Sequence, residues 1–183
     1  MENQNTSVAT FEYYSIEPIH EKYVWRICDL MTVNATRFQQ FFPSTLQQTL
    51  TPTLSQIFVE QKLCDFKNRE EFLFVLKEKV HKTVIGLVYI KKLDWVKKRA
   101  EIAYCIGYQY EGKGMMTQTV KALSTYAFET LQLKTLEIIV HKSNLASIKV
   151  AEKSGYLWKR TLANEFAPAN EAPLDMELYE RYA

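Results

Sequence analysis

Two glycines one residue apart give the first chemical signal in this chain. The stretch Ile106-Gly107-Tyr108-Gln109-Tyr110-Glu111-Gly112-Lys113-Gly114-Met115-Met116 lies between an apolar β-type run and a long amphipathic segment. Gly112 and Gly114 permit a tight turn and a close approach of backbone to ligand. The first amides of the following helix have no acceptor within it and sit at the positive end of its dipole. Such an arrangement binds anions and suits a pyrophosphate. A turn that merely needs two glycines accounts for the same residues. Other phosphate loops do not fit. The GxxxxGK[ST] pattern is absent, because Met115 follows Gly114 and the glycine spacing differs, and GxGxxG is absent as well.

Other reactive side chains are sparse. Cys28, Cys64 and Cys105 are an odd number at wide spacings with no CxxC pair, so neither a zinc ribbon nor a redox dithiol is indicated and no metal is expected. A reduced, intracellular chain is the simple expectation. Residues 77–99 hold eight Lys or Arg against Glu78 and Asp94. Solvated hairpin faces account for them; attraction of an acidic substrate or a phosphate is the alternative.

The elements that must position the glycine loop follow from periodicity. The chain has 183 residues, 47% hydrophobic and 24% charged, with net charge +2. That length suits one domain over 1–183 with a core needing no staples. The charge is too small for a dedicated nucleic-acid binder. With only 5 Gly and 5 Pro, fibrous and low-complexity classes are excluded. Met1–Thr10 lacks an apolar signal core and no run reaches the roughly 20 apolar residues of a membrane span, so a soluble, cytoplasmic protein is expected.

Residues 1–9 read as a loose leader. A β-prone run follows at Phe11–Ile16, then a helix with Val24, Ile27, Cys28 and Met31 on one face. Thr51-Pro52 opens a second helix with a stripe of Leu54, Ile57, Phe58 and Leu63. Strands are expected at Phe72–Leu76, Val84–Ile90 and Ala100–Ile106. A long helix over Gly114–Leu131 buries Met116, Val120, Leu123, Ala127 and Leu131. Leu136–Val140 reads as a strand, and Asn144 caps a helix that Gly155 ends. Tyr156–Leu162 and Leu174–Tyr179 make the last strands, with Ala163–Pro173 as a polar linker. Phe38, Phe41, Phe42, Tyr179 and Tyr182 supply more apolar surface than one core absorbs, which predicts a homodimer.

Gln109-Tyr110-Glu111-Gly112-Lys113-Gly114 resembles the Q/R-x-x-G-x-G/A loop of the GNAT N-acetyltransferase superfamily. Asn144-Leu145-Ala146-Ser147, continuing through Glu152-Lys153-Ser154-Gly155-Tyr156, is similar to the N-x-x-S…E-K-x-G-F segment of the RimJ/RimL-type ribosomal-protein N-acetyltransferases. The resemblance spans roughly residues 10–182 and is specific over about Ala100–Tyr156. It implies an α/β (α+β) fold: a twisted mixed sheet of about seven strands, splayed at its middle and flanked by about four helices.

The resemblance also implies acetyl-CoA as cosubstrate, seated where the strands ending near Ile106 and Val140 splay apart. Gln109, Gly112, Lys113, Gly114, Met115 and Met116 would hold its pyrophosphate. Backbone groups of Tyr104, Cys105 and Ile106 would pair with the pantetheine arm, and Asn144 would hydrogen-bond to it. Many members place a tyrosine seven residues after the Asn as acid for the leaving thiolate. Here that residue is Ala151. The RimL-like subgroup uses the serine three after the Asn, which is Ser147. A serine hydroxyl can stabilise a developing thiolate by donating a hydrogen bond.

An α-amine of pKa near 8 needs about 1.4 kcal/mol to lose its proton at pH 7, a free lysine about 4.6 kcal/mol. A weak base therefore suffices for a protein N-terminus. Glu165 sits where the subgroup carries a glutamate, within a one-residue shift. Glu101, Glu111 and His141 are the other candidates. Cys105 is read as packing, since direct transfer needs no cysteine nucleophile. The implied acceptor is a protein α-amine, plausibly ribosomal. A small-molecule amine (polyamine, amino sugar or antimetabolite) and a non-catalytic acetyl-CoA-binding module are the alternatives.

Overall fold

The computed structural model describes residues 7–168 and 172–183. The chain forms two compact units, Met1–Tyr89 with Tyr104–Lys113, and Ile90–Ala103 with Gly114–Ala183. Strands β4 (Val84–Asp94) and β5 (Arg99–Ile106) contribute residues to both.

In the first unit the strand order is β1 (Ala9–Thr10), β2 (Tyr14–Pro18), β3 (Phe72–Glu78), β4, β5. Residues 1–6 of the expected leader lie outside the described residues, but its last residue, Ala9, is not loose: it pairs antiparallel with Ile16, as Thr10 does with Ser15. Helix α1 (Val24–Val33) buries Val24, Ile27, Cys28 and Met31, the face its spacing predicts. The Phe38–Pro43 segment folds as two short helices, α2 (Ala35–Phe41) and α3 (Pro43–Gln47), with Pro43 at the first helical position. They raise the helix count among the described residues to six from the four expected.

Helix α4 (Pro52–Asn68) starts as its cap predicts, the Leu54 amide donating to Thr51 Oγ1 at 3.2 Å. Its buried face differs from the predicted stripe. Leu54 and Ile57 are exposed, while Ser55, Phe58, Val59 and Asp65 are buried. The apolar spacing alone was ambiguous because small polar Ser55 tolerates burial, its hydroxyl donating to the Thr49 carbonyl at 3.1 Å. Phe72–Leu76 of β3 is buried without interruption, with Phe66 edge-on to Phe72 and Phe74.

The second unit has the order β4, β5, β6 (Thr135–Val140), β8 (Leu174–Tyr182), β7 (Leu157–Phe166), which brings the strands among the described residues to eight where about seven were expected. β5 and β6 run parallel, and their ladder covers Arg99–Glu101 against Thr135–Glu137. Both strands continue beyond these paired residues. β6 pairs antiparallel with β8 along its whole length. Helix α5 (Met115–Glu129) buries Met116, Val120, Leu123 and Ala127 as the spacing predicts. Helix α6 (Leu145–Lys153) runs from Asn144 to the left-handed Gly155 (φ 85°). β7 extends to Phe166, so Ala163–Phe166 of the expected linker are strand; its residues 169–171 lie outside the described residues. A register shift and a left-handed Asn164 (φ 55°) let the strand continue through that polar sequence.

Phe38 and Tyr179 are buried within their own units, Phe42 is half-buried, and Phe41 and Tyr182 are exposed, so two of the five aromatics read as dimer-forming are core. Among the described residues no helix is long and apolar enough to cross a membrane, and no group of three or more His, Cys, Asp or Glu could hold a metal.

Candidate functional site

The first unit supplies the end of β5 and the turn that follows. Gly86 on β4 lets the strands meet here: a Cβ on it would lie 2.8 Å from the Cys105 carbonyl oxygen. The Gly107 amide then donates to the Ile85 carbonyl at 2.8 Å, closing the pairing where β5 ends. Tyr104, Cys105 and Ile106 are the last three residues of β5, and a single turn of 3-10 helix, Tyr108–Tyr110, carries the chain toward Gly112. The Cys105 thiol is buried; burial pushes it up to about 12, against a backbone hydrogen bond from Leu87 and the distant Arg37 charge. A thiol in that state is no nucleophile at neutral pH, in agreement with its reading as packing.

Gly112 takes φ 71°, a left-handed conformation that side chains other than glycine adopt at a cost. No atom would lie within 4 Å of a Cβ at Gly112, so the glycine serves the turn and leaves open space before it. Gln109 and Lys113 are exposed, and the Lys113 ammonium lies 5.5 Å from the centroid of the Tyr110 ring. Glu111 is engaged by Arg37 in an ion pair.

The second unit begins with Gly114, also left-handed at φ 74°, as the N-cap of α5. The Met115 and Met116 side chains are buried, so these residues offer a ligand their backbone and not their thioethers. A left-handed glycine thus opens α5 at the position where the sequence leads one to expect an anion site.

Asn144 and Ser147 come together at the start of α6. The Ser147 amide donates to Asn144 Oδ1 at 3.1 Å, so the Asn carbonyl is the helix cap and only its Nδ2 group is left for a ligand. Ala151, standing where many members carry the acid tyrosine, is fully buried. His141 hydrogen-bonds locally, Nδ1 lying 2.7 Å from Ser143 Oγ and accepting the Ser143 amide at 3.3 Å. An Nδ1 that accepts leaves the ring proton of the neutral form on Nε2.

Glu165 is placed on β7 and not in a loop after it. Its carboxylate lies 3.7 Å from Lys92 Nζ. Lys92 is shared: the same ammonium is 2.9 Å from Glu101 Oε2, and Lys91 is 3.1 Å from Oε1. Glu101 is buried, and its Oε2 lies in an ion pair with the Lys92 ammonium. Burial works against the Lys92 ammonium, but its carboxylate neighbours outweigh it and hold its pKa above the ordinary value. Elsewhere in the basic stretch Lys77 pairs with the mostly buried Glu17 at 3.0 Å and Lys97 with Asp94 at 3.4 Å.

Asn34 and Arg37 carry no local signal, their partners lying 74 residues away, and Lys92, though within the basic stretch, reaches Glu165 across 73 residues. Gly86 could have been noticed as a lone glycine inside an apolar strand run.

The family model for the acetyltransferase (GNAT) domain matches residues 16–157. The ribosomal-protein-serine acetyltransferase of Escherichia coli K12 is 23% identical over 181 residues, 96% of each chain. Its spermidine N(1)-acetyltransferase is 36% identical over 81 residues, 44% of each. The chain thus spans less than half the length of the curated relatives it matches at higher identity. Among solved structures, the ribosomal L7/L12 α-N-protein acetyltransferase RimL in complex with coenzyme A has a TM-score of 0.88 at 17% identity, over 97% of this chain and 98% of that one, which establishes the likeness of fold.

Proposed function

The chain belongs to the GNAT family of acetyltransferases, and from that premise we propose that it transfers the acetyl group of acetyl-CoA to the α-amine of a protein N-terminus, that of a ribosomal protein. The observation that carries the reading is the Gln109–Met116 segment: two left-handed glycines leading into a helix start, with open space where a Cβ would stand. The alignment with the ribosomal-protein-serine acetyltransferase over 96% of both chains supports the acceptor.

Under this reading the loop amides hold the pyrophosphate, the ends of Tyr104, Cys105 and Ile106 orient the pantetheine, and Asn144 Nδ2 donates to it. The neutral amine attacks the thioester carbonyl. A C–N bond forms, the C–S bond breaks, the amine proton leaves toward a base, and the sulfur departs as thiolate facing Ser147. Glu165 is the base. Glu111, Glu101 and His141 each have a close partner, while among the described residues Glu165 meets Lys92 at 3.7 Å and is partly exposed. An α-amine needs only about 1.4 kcal/mol of help at pH 7, within reach of a carboxylate acting through water.

A small-molecule amine is the second reading, favoured by the 36% identity to a spermidine N(1)-acetyltransferase. The deciding experiment is an acetyl-transfer screen of N-terminal peptides, polyamines and aminoglycosides, with CoA binding followed by thermal shift. At 100 times its dissociation constant CoA adds about 2.7 kcal/mol to the folded state. Transfer to peptides supports the first reading and transfer to polyamines alone replaces it. Binding without transfer to any acceptor leaves a non-catalytic acetyl-CoA module. The same preparation tests the cytoplasmic homodimer, whose exposed aromatics are Phe41 and Tyr182; light scattering at the monomer mass overturns it.

A further inference from the structure

Asn34 stands where α1 ends and α2 begins, only 6% exposed, and both halves of its amide are committed. Nδ2 donates to the Leu30 carbonyl at 2.8 Å. Oδ1 accepts the Tyr108 amide at 3.0 Å, reaching the turn that leads to Gly112. The turn is packed on this junction as well: a Cβ on Gly107 would lie 3.5 Å from Leu30 Cδ1 and 3.6 Å from Asn34 Nδ2. Three residues along, Arg37 ion-pairs with Glu111 at the other end of the turn, and its guanidinium is 3.5 Å from Asn34 Oδ1. One helix junction therefore grips both ends of Tyr108–Glu111.

A helix junction needs no such contact to fold. The Arg37 and Glu111 side chains are 40% and 45% exposed, and an ion pair so placed adds little to stability. Glu111 nevertheless puts a carboxylate one residue before Gly112, beside the segment assigned to the phosphates, where its charge opposes the ligand's. We infer that Asn34 and Arg37 are positioning residues for the acetyl-CoA loop. Asn34 fixes the backbone of the turn through the Tyr108 amide, and Arg37 cancels the Glu111 charge. Both act through the loop and not by touching the cofactor. The inference rests on the cofactor reading above.

The test is calorimetric titration of CoA into wild type, Asn34→Leu, Asn34→Asp, Arg37→Ala, Glu111→Gln and the double variant Arg37→Ala/Glu111→Gln, with melting temperatures alongside. Arg37→Ala weakens CoA on the order of tenfold, less at high salt, because an uncompensated carboxylate then faces the phosphates. Its melting temperature stays near wild type. Removing that carboxylate as well returns the double variant to within about twofold of wild type. Asn34→Leu weakens CoA on the order of tenfold through a misplaced turn, the effect falling on KM for acetyl-CoA more than on kcat. Asn34→Asp keeps the acceptor for the Tyr108 amide and lies between the two.

A double variant as weak as Arg37→Ala overturns the charge-cancelling role, since Arg37 then meets the phosphates itself. A folded Asn34→Leu with wild-type affinity overturns the role of Asn34. Should Asn34→Leu not fold, Asn34→Asp and the Arg37 pair decide. Wild-type protein that binds no CoA overturns the cofactor reading and this inference with it, whereas wild-type binding with every variant unchanged overturns this inference alone.

Discussion

The Gln109–Met116 loop, to which we assign the cofactor phosphates, and the β7–β8 hairpin are built to meet charge in opposite ways. The loop works with backbone. Its two left-handed glycines and the first turn of α5 present amides, while the buried side chains of Met115 and Met116 serve the core. The hairpin works with side chains. Thr161 donates to Glu177 at 3.1 Å, the Asn164 amide donates to Asp175 at 2.9 Å, and Glu165 meets Lys92 at 3.7 Å. A backbone site is sensitive to φ and indifferent to most side-chain changes. A side-chain site is the reverse: it survives backbone adjustment and fails when a carboxylate or hydroxyl is removed. Substitutions of the two kinds should therefore separate binding from chemistry.

The largest effect is expected at the loop. Gly114→Val places a β-branched residue at φ 74°. The strain, about 1–3 kcal/mol, is relieved by moving the turn, and with the amides displaced kcat/KM for acetyl-CoA falls on the order of 100-fold or more. Since nothing lies within 4 Å of a Cβ there, the apo protein still folds. Calorimetry that finds wild-type CoA affinity in this variant shows that binding does not depend on the loop backbone.

Next comes Ser147→Ala. The Ser147 amide, which Asn144 caps, is untouched, so α6 stays in place. Loss of one donor to a developing anion lowers kcat roughly 10²-fold with little change in CoA affinity. The deficit persists at high pH, because the thiolate needs a partner whatever the state of the amine. A loss seen only in CoA affinity would move Ser147 from chemistry to binding.

Glu165→Gln is smaller and depends on pH. Removing the base costs about tenfold in kcat/KM at pH 7, the penalty of deprotonating an amine of pKa near 8 unaided. The loss fades as pH rises past that pKa, because the free amine then forms without help. Lys92→Met sharpens the point, since it frees Glu165 while leaving Glu101 with Lys91. A flat ratio of variant to wild type across pH removes Glu165 as base and directs attention to Glu101, which is buried and shares the same lysine.

The same contrast explains what the sequence could disclose. Gly112, Gly114 and Asn144 are legible because one residue type meets a local backbone demand: a left-handed turn or a helix cap. The strands around them are legible because Phe72–Leu76 and Val84–Ile90 are continuous apolar runs. Glu165 is only half legible. Ala163–Phe166 has the composition of a loop, and what makes it strand is pairing with β8 across a register shift. Leu54 and Ile57 mislead for a similar reason, as their helix turns Ser55, Phe58 and Val59 inward. Asn34 leaves no local trace at all, because its partner amide is 74 residues away.

The smallest effect is expected at Cys105, which lies in β5 beside the backbone groups assigned to the pantetheine arm. Burial pushes its thiol up to about 12, so below that pH the sulfur stays protonated and the thiolate fraction at pH 7 is negligible. An acetyl group passing through Cys105 would have to wait for that ionisation; direct attack by the amine does not. Cys105→Ala should then leave kcat within about threefold of wild type, the residue loss being one of packing and not of chemistry. It should lower stability by about 1–2 kcal/mol for the small cavity. Alkylating reagents at pH 7 should label exposed Cys64 first and leave buried Cys28 and Cys105 intact in the folded enzyme. An acetylated Cys105 trapped by rapid quenching, or a loss of transfer in Cys105→Ala far beyond its loss of stability, would replace direct attack with a two-step route through the thiol.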